Sequence, residues 1–251
     1  MVDQAIILAA GRGQRFRPVT DTIPKPLVAV AGKPLIDWQI EMLIAQGMKR
    51  IIINGCYLRD LLFDHVRSRN YTDVEIIFSE EETALETGGG IKHALPLMGD
   101  APFFSINSDV IMFPTDHPRL LHQLANALEK QPNADIILLL HPCLASKGIH
   151  GTGDFFCNEH GHLWRKGTHM NAPYWFTGVQ LVRPSAFDGI EESVFSMNLI
   201  YDRVLAPTRS PQTAERLLGI INQTGGIMLH VGDVEGHAAV EAWLHQQSNL
   251  T

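Results

Sequence analysis

The chain has 251 residues, 45% hydrophobic and 19% charged, an ordinary globular composition whose length allows roughly three quarters of the unfolded surface to be buried. Its 27 acidic residues outnumber 20 basic ones for a net charge of −7, which excludes a nucleic-acid groove as the main surface but leaves room for a local anion site. No stretch approaches the eighteen or so apolar residues of a membrane helix. The apolar run Ala5–Ala10 is too short and acid-flanked for a signal peptide, and Cys56, Cys143 and Cys157 lack metal-ligand spacing, so a cytoplasmic protein with reduced thiols is expected.

In chain order, Ala5–Ala9 reads as a buried strand bounded by glycines. Pro34 to Gln46 carries Leu35, Trp38, Met42 and Leu43 on one helical face, with Gly47 as its stop. Arg50–Asn54 follows as a strand, Tyr57–Val66 as a helix, Val74–Ser79 as a strand and Thr87–Leu97 as a helix opening in three glycines. Then come a strand at Phe103–Ile106, a helix at His117–Lys130 and a strand at Asp135–His141. This alternation predicts an α/β fold with a Rossmann-like, doubly wound, mostly parallel sheet. After residue 142 helical periodicity gives way to Gly, His and aromatic residues over Gly148–Gly178, which predicts an antiparallel subregion; helical patterning returns at Met197–Leu205 and Val234–Gln246. With no linker or repeat, the whole of 1–251 is expected to be one domain, in two parts, 1–142 and 143–251.

The first strand runs straight into Leu8-Ala9-Ala10-Gly11-Arg12-Gly13-Gln14-Arg15-Phe16-Arg17-Pro18-Val19-Thr20. Backbone amides approach phosphate oxygens closely only where side-chain bulk is missing, and Gly11 and Gly13 provide that. Arg15 and Arg17 offer forked donors for phosphate charge, and Pro24-Lys25-Pro26 holds one ammonium group between two fixed residues. Two other glycine loops are excluded. The dinucleotide fingerprint needs glycine where Phe16 stands, and no Gly-Lys-Ser/Thr triplet exists.

The pattern Gly-x-Gly-x-Arg-x-x-Pro-x-Thr followed by Pro-Lys-Pro resembles the signature of the nucleotidyltransferases that make sugar nucleotides. Gly11, Gly13, Arg15, Pro18, Thr20, Pro24, Lys25 and Pro26 match it, while Gln14 replaces the usual small hydroxyl residue. The resemblance implies Arg15 on the leaving pyrophosphate and Lys25 on the phosphate nearest the chemistry. Leu85-Glu86-Thr87-Gly88-Gly89-Gly90, with Asn54 and Tyr57-Leu58 upstream, resembles the N-acetylmuramate 1-phosphate uridylyltransferase branch. Glycines are unfavourable in a helix interior but tolerable at its N-terminus, where free N–H groups can meet a ligand. That branch implies Glu81 and Gly88 at the base and ribose, Glu86 facing the sugar, and a place in cell wall recycling.

Asn107-Ser108-Asp109 follows the fourth strand at its carboxyl end, where open α/β sheets bind ligands and where an Asp can hold Mg²⁺. By resemblance, Asp109 is a metal ligand. Asn107, Asp154 in Gly153-Asp154-Phe155, and Thr177 and Gly178 in Phe176-Thr177-Gly178-Val179 are by resemblance acceptor-sugar contacts. The chain departs from the family at Leu229-His230-Val231-Gly232-Asp233, where His230 occupies the place of a second acidic ligand. Imidazole suits Mn²⁺ or Zn²⁺ better than Mg²⁺. Three arrangements remain open: His230 ligates the metal directly or through water, Asp233 takes over, or Asp109 suffices with phosphate oxygens. His141, His150, His160, His162 and His169 cluster in the loop-rich part without a carboxylate or thiol at ligand spacing, and are expected to be turn residues.

The expectation is an enzyme, a monomer or small homo-oligomer, that couples a nucleoside triphosphate, UTP, to N-acetylmuramate 1-phosphate with Mg²⁺ or Mn²⁺, with 1–142 as its nucleotide-binding part and 143–251 as its acceptor-binding and metal part. The rivals are GTP with mannose 1-phosphate, CTP with a phosphorylated alcohol, and a catalytically silent nucleotide-binding regulator.

Overall fold

The apolar run at the N-terminus folds as β1 (Gln4–Leu8) at the centre of the main sheet in a computed structural model, which describes residues 2–114, 117, 120–167, 171–205 and 216–248. β1 is flanked in parallel by β4 (Arg50–Gly55) and β6 (Phe103–Asn107), and β5 (Glu75–Glu80) adds to β4, also in parallel. A two-strand hairpin, β2 (Ala29–Val30) and β3 (Lys33–Pro34), stands apart from this sheet. The direction reverses at β12 (Tyr174–Val182), which pairs antiparallel with β6 and with β8 (Ile136–Pro142). A hairpin of β10 (Phe155–Cys157) and β11 (Leu163–Arg165) extends the sheet beyond β12, and β13 (Leu217–Ile221) lies parallel to β8. Thus the antiparallel subregion expected after residue 142 is continuous with the main sheet through β12.

Alternation across the pleat explains the unbroken apolar runs of the sequence. Ala5, Ile7, Ile51, Ile53, Phe104 and Ile106 enter one core, whereas Ile6, Ile52, Phe103 and Val182 enter the core on the opposite face. Helices cover both faces: α1 (Leu35–Ala45), α2 (Arg59–Ser68), α3 (Glu86–Met98), α4 (His122–Lys130), α5 (Asn198–Leu205) and α6 (Val234–Ser248). α2 starts later than the periodicity suggests because Leu58 sits in the left-handed region, φ 51°. α4 is shorter than His117–Lys130: Leu120 and Leu121 form a turn before it, and residues 118 and 119 lie outside the described residues.

Among the strands that the sequence reading did not place, two matter most for the site. β7 (Val110–Phe113) and β14 (Ile227–His230) pair antiparallel, with β9 (Ser146–Lys147) beside β14, in a separate small sheet. A third apolar cluster lies beneath this sheet and joins Phe16, Val28 and Val30 to Leu229, Val231 and Val240 of the C-terminal part. The phosphate-loop segment therefore packs on residues more than two hundred positions away. All three cysteines are free thiols.

Candidate active site

The carboxyl ends of β1, β4, β5 and β6 surround a cavity of about 630 Å³. β1 delivers Leu8, Ala9 and Ala10 to its wall, and the loop that follows adds Gly11, Gly13, Gln14 and Arg15. Gly13 has φ +60°, and a Cβ there would lie 2.8 Å from Lys25 Cβ, so this position requires glycine. The loop is pinned from below. Thr20 Oγ1 donates to the Gly13 carbonyl at 2.8 Å, and buried Phe16 anchors the turn in the third core. The other two arginines of the loop turn away from the cavity. Arg17 pairs with Asp21 at 3.1 Å, and the Arg12 guanidinium lies 5.8 Å from the centre of the Tyr57 ring. Neither lines the wall, so of the loop's arginines only Arg15 faces the cavity.

Lys25 crosses the floor. Its Nζ donates to Asp109 Oδ2 at 2.6 Å and reaches the Gly232 carbonyl at 3.4 Å. Burial by itself pushes the Asp109 carboxyl up, but Lys25, His230 and Arg15 outweigh it and hold the group below the usual carboxylate range. His230 closes β14 directly opposite Val110, so the small antiparallel sheet is what brings it to Asp109. Its ring rests on Gly232, where any Cβ would overlap it, and Nδ1 faces the Gly148 carbonyl at 3.4 Å. Burial lowers the His230 pKa below the ordinary histidine value; Asp109 opposes that shift, and Lys25 and Arg15 add to it. Neutral imidazole is the ligating form.

Among the described residues no three His, Cys, Asp or Glu side chains converge as a metal cage. An ionised Asp109 with a neutral imidazole beside it fits a divalent cation that takes most of its ligands from phosphate oxygens and water. Asp233, which does not line the cavity, is engaged elsewhere. Its Oδ1 accepts the Gly236 N–H at 2.8 Å as the N-cap of α6.

On the opposite side, Asn54 and Glu81 line the cavity from the ends of β4 and β5. Asn54 Oδ1 accepts the Ala9 N–H and its Nδ2 donates to Glu81 Oε1, both at 2.7 Å. Ala84, Leu85, Glu86 and Thr87 follow along the wall, with Glu86 at φ 61°, unusual for a residue with a side chain.

The glycine block corrects the sequence reading. The N–H groups of Gly88 and Gly89 are not free for a ligand: both donate to the Phe195 carbonyl, at 2.8 and 2.9 Å. A Cβ at Gly88 would overlap the Phe195 ring, and one at Gly89 the Ser193 carbonyl. Gly88 faces that segment and does not line the cavity. The glycines are there because a neighbouring chain segment presses on the first turn of α3.

Of the residues implied for the acceptor, Glu86 and Asn107 line the cavity, whereas Asp154, Thr177 and Gly178 do not. Asp154 Oδ2 accepts the Phe176 N–H at 3.0 Å. The buried Thr177 hydroxyl donates to Leu139 O and accepts from Val179 N, which leaves it no hydrogen for a sugar. Gly178, φ +73°, gives way to the Asn107 side chain, 2.8 Å from where its Cβ would be. His150, His160 and His162 lie outside the cavity and His169 lies outside the described residues. Ala84, Leu85, Thr87, Ser108 and Gly232 line the cavity without having been assigned a role in the sequence reading. Their place in or next to the quoted motifs was the available signal, though Gly232 reaches the cavity only through the β7–β14 pairing.

Residues 4–142 match the nucleotidyl transferase family. The N-acetylmuramate alpha-1-phosphate uridylyltransferase of Caulobacter vibrioides is 35% identical over 96% of this chain and 96% of its own length. The protein of the same name from Neisseria meningitidis serogroup B is 36% identical over 96% of this chain and 99% of its own. Among solved structures, HddC from Yersinia pseudotuberculosis, complexed with GMP-PN, superposes with a TM-score of 0.73 at 22% identity, covering 96% of this chain and 100% of that one. A glycine loop, lysine and carboxylate gathered at the carboxyl ends of a parallel sheet, together with these matches along the chain, make it a member of the nucleotidyl transferase family.

Proposed function

We propose that the chain is a sugar-1-phosphate nucleotidylyltransferase that joins UTP to N-acetylmuramate 1-phosphate, releasing pyrophosphate and forming a nucleotide sugar. The observation that carries this reading is the Lys25–Asp109 pair, 2.6 Å apart on the floor of the cavity whose wall is the Gly11–Arg15 loop. The two relatives named for this reaction support the choice of base and sugar.

The acceptor phosphate has a second pKa of about 6 and is largely dianionic at neutral pH, so the attack needs no general base. Its oxygen forms a new bond to the α-phosphorus of UTP while the bond from the α-phosphorus to the bridging oxygen breaks, and pyrophosphate leaves with that electron pair. The work of the protein is positioning and charge neutralisation. The loop amides and Arg15 hold the departing phosphates, and Lys25 lies between donor and acceptor. Held by Asp109 with His230 alongside, Mg²⁺ or Mn²⁺ would neutralise charge on the α-phosphate. Glu86 and Asn107 face the acceptor. A cytoplasmic place in cell wall recycling belongs to the same proposal.

The test is pyrophosphate release with UTP, Mg²⁺ and N-acetylmuramate 1-phosphate. Release should fall at least about a hundredfold in Lys25→Ala and in Asp109→Ala. A wild-type rate no higher than theirs, with any of four nucleotides and several sugar phosphates, would sink the reading.

A further inference from the structure

We propose that Thr87 is a further substrate-binding residue, whose hydroxyl donates to a hydroxyl oxygen of the acceptor sugar; this rests on the nucleotidyl-transfer reading above. Hydrogen bonds already made within the chain show which groups around the start of α3 remain for a ligand. The Leu85 N–H goes to Glu81 Oε2 at 3.2 Å, and those of Gly88 and Gly89 go to Phe195 O. Thr87 lines the cavity, and its Oγ1 accepts the Met197 N–H at 2.9 Å. A hydroxyl has one hydrogen to give beyond the bonds that it accepts. Among the described residues the Thr87 hydrogen has no acceptor within the chain. Thr177 differs in this respect, since its hydrogen is given to Leu139 O and it does not line the cavity.

The bond from Met197 sets both orientation and place. It holds one lone pair of Oγ1, which limits the directions open to the O–H. It also ties Thr87 to the second part of the chain. Segment 190–197 is fastened to α3 at further points: Phe195 N donates to Leu85 O at 3.2 Å, and Lys92 Nζ donates to the Ile190 and Glu192 carbonyls at 2.5 and 3.0 Å. Arg15 and Lys25, the cationic groups of the wall, come from the phosphate loop and the segment after it, and phosphates are drawn to them. Thr87 comes from a different element and stands beside Glu86, whose φ of 61° is backbone strain of the kind found at ligand sites. A sugar hydroxyl gives one hydrogen and accepts another. The Glu86 carboxylate can only accept and the Thr87 hydroxyl is left to donate, so together they match the hydroxyls of a sugar.

The experiment is steady-state pyrophosphate release with N-acetylmuramate 1-phosphate varied at saturating UTP and Mg²⁺, joined to calorimetric binding of UTP. The variants are Thr87→Val, Thr87→Ser and Phe195→Leu, with Thr87→Ala as a second hydroxyl-free form should the valine fail to fold. Thr87→Val keeps the side-chain shape and should raise the acceptor KM about fivefold or more, with UTP affinity within about twofold of wild type. Thr87→Ser keeps the hydroxyl and should stay within about twofold on both measures. Phe195→Leu loosens the same segment with the hydroxyl intact, and it should leave the acceptor KM within about twofold. An unchanged acceptor KM in the hydroxyl-free variants overturns the assignment, and so does an equal loss of UTP affinity in them. An acceptor KM raised as much by Phe195→Leu overturns it too, because segment 190–197 would then act without the hydroxyl. If the wild type releases no pyrophosphate with any nucleotide and sugar phosphate, the nucleotidyl-transfer reading falls, and this assignment with it.

Discussion

Gly89→Ala separates two opposed expectations about the glycine block. Considered as a helix position alone, the substitution should stabilise, since alanine is better than glycine by about 1 kcal/mol inside a helix. The tertiary structure reverses the sign. The new Cβ would overlap the Ser193 carbonyl, and that contact is backbone, which cannot rotate away. Overpacking of this kind costs about 1–3 kcal/mol. Moving the 193–195 segment aside also weakens the bonds from Gly88 N and Gly89 N to Phe195 O, each worth about 1 kcal/mol. With the helix gain deducted, the net loss is about 2 kcal/mol. For a chain of this size that lowers Tm by about 4–8 °C. Thermal melting at a fixed scan rate, with the urea midpoint as a second measure, reads it directly. A Tm equal to or above wild type would refute the claim that the block is a docking surface for residues 193–195.

Three other outcomes follow from the same geometry. Burial lowers the pKa of His141, which accepts from Asn222 Nδ2 on Nδ1 and faces Ala145 O with Nε2. The folded chain then binds fewer protons than the unfolded one below about pH 6.5, so stability should fall as pH drops through that value, and His141→Gln should remove part of the slope measured by urea midpoints between about pH 7.5 and 5.5. Thr177→Val leaves buried Leu139 O and Val179 N without their hydroxyl partner, which should cost about 1–3 kcal/mol in the urea midpoint while acceptor KM stays within about twofold. A large rise in KM would instead put the hydroxyl in the sugar site. Asp233→Ala should lose about 1 kcal/mol as a missing helix cap and leave metal affinity, followed by Mn²⁺ titration in the presence of UTP, unchanged; a drop in that affinity would return Asp233 to the metal site.

Local signals made much of this protein legible. Apolar runs buried on both faces, alternating with helical periodicity, specify a parallel sheet because each such strand must be covered from above and below. Gly11, Gly13, Arg15 and Lys25 carry their chemistry in their spacing along one loop, so no fold was needed to bring them together, and the cavity wall contains all four. Asp109 was legible because it follows the end of a strand of that sheet.

Tertiary structure decided what depends on distant partners. His230 meets Asp109 only because β7 and β14, short strands far apart in the chain, pair antiparallel. Whether a hydroxyl or amide faces a ligand or the protein depends on which backbone group lies opposite, and no periodicity reports that. Thr177 is taken by Leu139 O, Asp154 by Phe176 N, and the Gly88 and Gly89 amides by Phe195 O. Conversely, Asn54, Glu81 and Gly90 form one buried unit although they come from three separate elements. Sequence by itself determined which residues could do phosphate chemistry. Hydrogen-bond satisfaction in the folded interior decided which of them are left to do it, because a buried donor or acceptor already paired with the protein has little to offer a substrate.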